Sequence, residues 1–187
     1  MASTYTVNSG IELIANGEQS GTWGDTTNVN LQIVDRLTGG VGAITLSGTT
    51  HTLTTTDGSL SDGQYKVLVL GGSPSGTNTI TVTPNDQQKL YFVKNGSGQS
   101  AVFTQGSGGN VTIPNGESAI IYCDGAGAGA EVVNLSATFD LTTFLEAANN
   151  LSDVGNAATS RTNLGVAIGS DVLAYDANLQ GFVDALT

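Results

Sequence analysis

The chain has 187 residues, room for one compact domain with an extension or for two small domains. Only 11% of residues are charged, and sixteen acids against five bases leave a net charge of −11, so phosphate backbones and anionic membranes are repelled and nucleic-acid binding is not expected. A lone cysteine, Cys123, excludes an intrachain disulfide framework and fits folding in a reducing cytosol, while the absence of any apolar run of membrane-spanning length argues against membrane insertion.

Residues 1–40 read as an arm. Up to about residue 24 the chain is polar and glycine-rich, with Ile11, Leu13, Ile14 and Trp23 as its only large apolar anchors and a short strand predicted over Ile11–Ala15. Asp25-Thr-Thr27 then opens a predicted helix through Leu37, with Asn30, Ile33, Val34 and Leu37 on one side and Gly39-Gly40 as the stop. One amphipathic helix on a polar arm has no core of its own and must dock on something. Trp23 fits a plug on its own domain and an anchor for a partner equally well.

From residue 41 to 137 the apolar period changes to two. Strands are predicted at Ala43–Ser47, His51–Thr55, Tyr65–Leu70, Asn78–Thr83, Lys89–Lys94, Ala101–Thr104, Asn110–Ile113, Ser118–Cys123 and Glu131–Leu135. Asn78–Thr83 alternates cleanly, whereas Tyr65–Leu70, Lys89–Lys94 and Ser118–Cys123 are dense enough in apolar residues for strands covered on both faces. Asn95-Gly96, Asn115-Gly116 and Asp124-Gly125 supply hairpin-turn residues, and Ala126–Ala130 reads as a flexible hairpin tip. The expected fold class is mainly β, an antiparallel β-sandwich or small barrel carrying an N-terminal arm and C-terminal short-helix repeats.

Residues 138–187 contain a duplication. Asp140-Leu-Thr-Thr-Phe-Leu-Glu-Ala-Ala148 aligns with Asn178-Leu-Gln-Gly-Phe-Val-Asp-Ala-Leu186. Leu141, Phe144, Leu145 and Ala148 fall at i, i+3, i+4 and i+7, as do Leu179, Phe182, Val183 and Leu186, so each copy predicts a short helix with one apolar stripe. Between them a second helix is predicted over Ala157–Leu164, with Asn156 as N-cap and Gly165 as C-cap. Helices this short are marginal alone. Their stripes, together with Leu151 and Leu164, are expected to be buried against copies in sister chains.

Chemistry is sparse. His51 is the only histidine, so one chain cannot build a histidine metal cluster, and no G-x-S-x-G elbow accompanies it. Asp57-Gly-Ser-Leu-Ser-Asp-Gly63 lacks the ligand spacing of a calcium loop. The glycine runs at 71–72 and 106–109 carry no lysine and precede no helix, so they are not phosphate cradles. No cofactor, metal site or enzymatic activity is expected.

Two stretches carry a resemblance. Ile11-Glu-Leu-Ile-Ala-Asn-Gly-Glu-Gln-Ser-Gly-Thr-Trp-Gly-Asp-Thr-Thr-Asn-Val-Asn30 resembles an N-terminal signature of tail-fibre-like virion proteins of tailed bacteriophages. Asn149-Asn-Leu-Ser-Asp-Val-Gly-Asn-Ala-Ala-Thr-Ser-Arg-Thr-Asn-Leu-Gly165 resembles a repeat of phage tail-fibre shafts and is the more specific of the two. Together they cover about a fifth of the chain, and the β block carries no resemblance. The resemblance implies a homotrimeric virion protein, assembled in the host cytoplasm. Its N-terminal region would bind a tail adaptor or other virion protein, through Ile11, Leu13, Trp23, Ile33 and Leu37. Its distal part would contact a host-surface receptor. The second copy of the duplication stops early, which sets the expectation that the natural chain continues beyond Thr187. A head decoration or a carbohydrate-binding module is the alternative.

Overall fold

The computed structural model describes residues 2–136, 154–166 and 184–186. Contacts divide the chain into a unit Met1–Phe139 and a unit Asp140–Thr187, each described by itself.

In the first unit the chain begins with a two-stranded ribbon, β1 (Thr4–Tyr5) and β2 (Glu12–Leu13), followed by α1 (Trp23–Gly39). The helix starts two residues before the expected Asp25 and stops where Gly40 donates its amide to the Arg36 carbonyl and turns extended. From there the chain alternates between two sheets. β3 (Val41–Leu46), β5 (Val67–Gly72) and β7 (Lys89–Asn95) run parallel in one, while β4 (Thr50–Thr54), β6 (Asn78–Thr83) and β8 (Ala101–Thr104) run parallel in the other. β9 (Val111–Ile113) then pairs antiparallel with β8, β10 (Ser118–Cys123) with β7, and β11 (Val132–Asn134) with β10. The resulting orders are β11-β10-β7-β5-β3 and β4-β6-β8-β9.

The chain is mainly β, with strands close to the predicted ranges, but the antiparallel expectation is wrong: both sheets are mixed, and neither closes into a barrel. Strand patterns alternate identically in either direction, so the period of two carried no information on direction. The turns also mislead. Asn95-Gly96 and Asn115-Gly116 carry the chain from one sheet to the other, and of the three expected hairpin turns only Asp124-Gly125 joins neighbouring strands, β10 and β11.

Inward side chains from both sheets make one core, centred on Leu46, Leu68, Leu70, Ile80, Phe103 and Ile121. The crossings between sheets are fastened by buried carboxamides. Asn78 Nδ2 donates to the Ser47 carbonyl, and Asn95 Nδ2 to the carbonyls of Gln99 and Ile113, both at 2.8 Å. Asn95 Oδ1 accepts from the amide and hydroxyl of Ser97. Gln105 Nε2 donates to the Gln87 carbonyl while its Oε1 accepts from the Gly125 amide. Each side chain satisfies backbone groups in or beside the connections between strands, most of them where the chain changes sheet.

The predicted tip at Ala126–Ala130 does join β10 to β11, largely exposed but tied to a neighbouring loop. Gly127–Gly129 forms one 3-10 turn, Ala130 is buried, and the turn bonds to Ser107 and Gly108 of the β8–β9 loop. A Cβ on Gly106 would stand 2.8 Å from the Ala130 amide nitrogen, so this approach of two backbones requires glycine.

In the second unit the described helix is α2 (Ala157–Asn163), with the Asn156 side chain accepting from the Thr159 amide at 2.9 Å and Gly165 at φ +67. This N-cap and positive-φ glycine agree with the sequence. Leu141, Phe144, Leu145, Ala148, Leu151, Leu179, Phe182 and Val183 lie outside the described residues.

Candidate interaction surfaces

The arm is tied to the β module by polar bonds at several points. Asn30 Oδ1 accepts from the Glu12 amide and its Nδ2 donates to the Glu12 carbonyl, both at 2.9 Å, so one side chain imitates a strand partner and fixes β2 on α1. Gln19 bridges the same segments, its amide nitrogen donating to the Glu12 carboxylate and its oxygen accepting from the Thr26 hydroxyl. Toward the module, Gln64 Nε2 donates to the Ser9 carbonyl, the Asn8 side chain accepts from the Gln88 amide, and the Lys89 ammonium donates to the Asn8 carbonyl. Lys89 is almost fully buried there, and loss of hydration lowers its pKa from 10.5 to about 8.

This scaffold sets the expected attachment residues apart. Ile33 has no accessible surface and anchors the helix, with Leu37 and Ile11 half-buried. Trp23 and Leu13 are exposed, Trp23 by 62%, which removes the plug on its own domain as an explanation of the tryptophan. Two residues that the sequence placed elsewhere or passed over, Val34 and Leu31, are exposed beside it. At 100° per residue Trp23, Leu31 and Val34 fall within about 80° of one another, a second apolar stripe beside the buried one. A wider helical projection of α1 would have disclosed it.

A larger apolar surface covers the outside of the five-stranded sheet. Val41, Val69, Leu90, Phe92 and Val133 are exposed there, with Val67, Ile120 and Tyr122 half-buried. The dense apolar strands that suggested cover on both faces are therefore covered on one face within the described residues. In register, Val41 pairs with Val67, Val67 with Phe92, and Phe92 with Ile120, giving a continuous apolar row across four strands. Beside Phe92 lies a shallow groove of about 260 Å³ lined by Val67, Lys94, Ile120 and Ser136. In the second unit α2 buries no residue, and Leu164 and Leu186 are 71% and 73% exposed.

The groups that could carry chemistry are dispersed. His51 lies on the inward side of β4, its Nε2 buried without a hydrogen-bond partner. The Ser61 hydroxyl accepts from the Thr56 amide and caps the turn Asp62–Gln64. Cys123 is buried, and its thiol is pushed up to about 12 by that burial, with the nearby Lys89 opposing. That leaves no thiolate nucleophile at neutral pH. No group of three or more metal-ligating His, Cys, Asp or Glu occurs among the described residues. A cleft of about 680 Å³ lies between the ribbon and the ends of β4 and β6, lined by Tyr5, Val7, Thr54, Asp57, Pro84 and Asp86 among others. No described helix is long and apolar enough to cross a membrane. Comparison with known proteins finds no matching family model, no matching curated protein and no matching solved structure.

Proposed function

We propose that this protein is a structural component of a phage virion, the virion-proximal part of a tail fibre. The arm attaches to a tail adaptor or other virion protein, the β module is a rigid spacer, and residues 138–187 form a homotrimeric shaft, the whole supporting adsorption to the host. The sequence resemblances at 11–30 and 149–165 motivate the reading. The observation that carries it is the state of α2: a capped seven-residue helix with no buried residue and Leu164 open to water. Such a helix is too short to persist without an apolar partner. Cyclic association of identical chains supplies one to every copy. At the other end, Trp23 stands exposed at the start of a helix that polar bonds among Glu12, Gln19, Thr26 and Asn30 tie to the ribbon, as suits a docking anchor. Function is then mechanical and multivalent, with weak contacts of several fibres summed through effective concentration.

Sedimentation of the full chain against a chain ending at Ala137 tests the shaft. The full chain is expected to be trimeric at micromolar concentration and the shortened one to associate more weakly. Two equal monomers would overturn the shaft. A carbohydrate-binding module is the second reading, favoured by the cleft that sets the exposed Tyr5 ring beside Asp57 and Asp86. Glycan-array binding that is lost on Tyr5→Ala would select it.

A further inference from the structure

The two sheets show opposite outer faces. Outside the four-stranded sheet stand Thr50, Thr52, Thr54, Thr79, Thr81 and Thr83, an ordinary solvent-facing ladder of hydroxyls. The equivalent positions of the five-stranded sheet are mostly aliphatic and aromatic, Thr45, Lys94 and Ser118 being the polar exceptions, with Phe92 on the central strand β7 in the middle of the apolar row. Monomers seldom leave so continuous an apolar face open to water.

We propose that this face packs against the same face of further copies of this chain, turned toward their shared symmetry axis. The inference rests on the fibre reading for its symmetry; the surface itself comes from the sheet. Three observations favour a copy over a different partner. The outward positions of β3, β5, β7 and β10 carry no Asp or Glu and a single charge, Lys94, in a chain of net charge −11. Like-charged copies therefore approach here with the least repulsion. Charge of both signs stands at the ends of the face: Lys94 pairs in register with Ser118, the neighbour of the exposed Glu117, while at the other end the Lys66 ammonium lies 5.8 Å from the Phe92 ring centroid. The area also suits packing about an axis. Four strands about 4.8 Å apart and six residues deep, with the three residues of β11 beside them, present roughly 400 Å² of projected surface per copy. Three such faces turned to one axis bury on the order of 1,200 Å² in all, shared among three contacts that are each below the usual size of a specific interface. The face alone thus gives weak association, which a shaft holding the chains together would strengthen.

The test uses the full chain and three proteins: wild type, Phe92→Glu and, on the threonine face, Thr81→Glu. Circular dichroism and thermal melting first establish that both variants keep the fold. In sedimentation equilibrium from about 1 to 100 µM, Phe92→Glu is expected to weaken self-association about tenfold or more, and Thr81→Glu to leave it unchanged. A photo-crosslinking residue at Val69, in a mixture of ¹⁵N-labelled and unlabelled chains, is expected to join the two isotopic forms through β3, β7 or β10. An associated chain that Phe92→Glu does not weaken overturns the docking face and leaves the fibre reading standing. Crosslinks confined to one chain, or to residues beyond 139, overturn it as well, and so does a wild-type chain that stays monomeric. Association that survives the cut at Ala137 but is lost with Phe92→Glu keeps the face and removes the shaft.

Discussion

Lys89 is the residue at which fold and charge oppose each other. It lies nearly out of solvent, donating to the Asn8 carbonyl, and burial holds its pKa at about 8 against 10.5 for the free side chain. Between those two values the unfolded chain binds the proton and the folded chain does not, so this group makes stability rise with pH there. Below pH 8 both states are charged and the desolvation penalty is felt in full. Above 10.5 both are neutral and it vanishes. Cys123 acts in the opposite sense: with its thiol at about 12, the unfolded chain is favoured progressively above pH 9. Comparing wild type with Lys89→Met below pH 9, where the cysteine is mostly protonated in both states of both proteins, isolates the lysine; above it, loss of the neighbouring cation also shifts the thiol. The stability difference, from urea unfolding at each pH, is expected to move toward wild type by about 1 kcal/mol per pH unit between 8 and 9. A difference independent of pH would mean that Lys89 is solvated in the folded chain.

At the scale of the element, the turns between sheets determine the architecture. Asn95 has no accessible surface and makes four hydrogen bonds, two of them to the carbonyls of Gln99 and Ile113 that have left their ladders. Asn95→Ala strands those groups in the interior and is expected to destabilise the fold by about 2–4 kcal/mol. Asn115, exposed and accepting only from the Gly98 amide, is the control, and its alanine variant is expected to cost less than about 1 kcal/mol by the same denaturant titration. The same residues explain what was legible beforehand. Alternation placed the strands, from Asn78–Thr83 to Ser118–Cys123, because burial on one face imposes it whatever the strand direction. Direction was hidden because Asn-Gly serves equally to close a hairpin and to turn a corner between sheets. Only the long-range partner of Asn95, the Ile113 carbonyl eighteen residues away, separates the two, and a single sequence does not contain it. In the candidate surfaces, Trp23 and Leu13 were legible as isolated apolar residues on a polar arm. Leu31 was not, because the buried stripe that Ile33 completes accounted for the helix without it. The apolar strands β5, β7 and β10 were read as doubly covered; nothing in their composition separates cover by the same chain from cover by another.

For the whole molecule, the distribution of charge decides how copies meet. Sixteen acids repel neighbouring chains at distances comparable to the screening length, roughly 30 Å at 0.01 M salt and 8 Å at 0.15 M. Contact through the outer face of the five-stranded sheet removes apolar area from water while bringing few charges together, because Lys94 is the only charged side chain among the outward positions of its four longer strands. The attractive part of such an association is nearly indifferent to salt, and the repulsive part is screened by it. Self-association of the full chain is therefore expected to tighten as sodium chloride rises from about 20 to 300 mM, by several-fold in Kd measured by sedimentation equilibrium. Contacts built from ion pairs between copies would give the opposite slope, since the same screening weakens them. A Kd that rises with salt would transfer the association from the apolar face to the charged rim of Lys66, Lys94 and Glu117. Phe92→Glu then provides the internal check: placing one carboxylate at the centre of each face adds like-charge repulsion, so whatever association this variant retains should depend on salt more steeply than that of wild type.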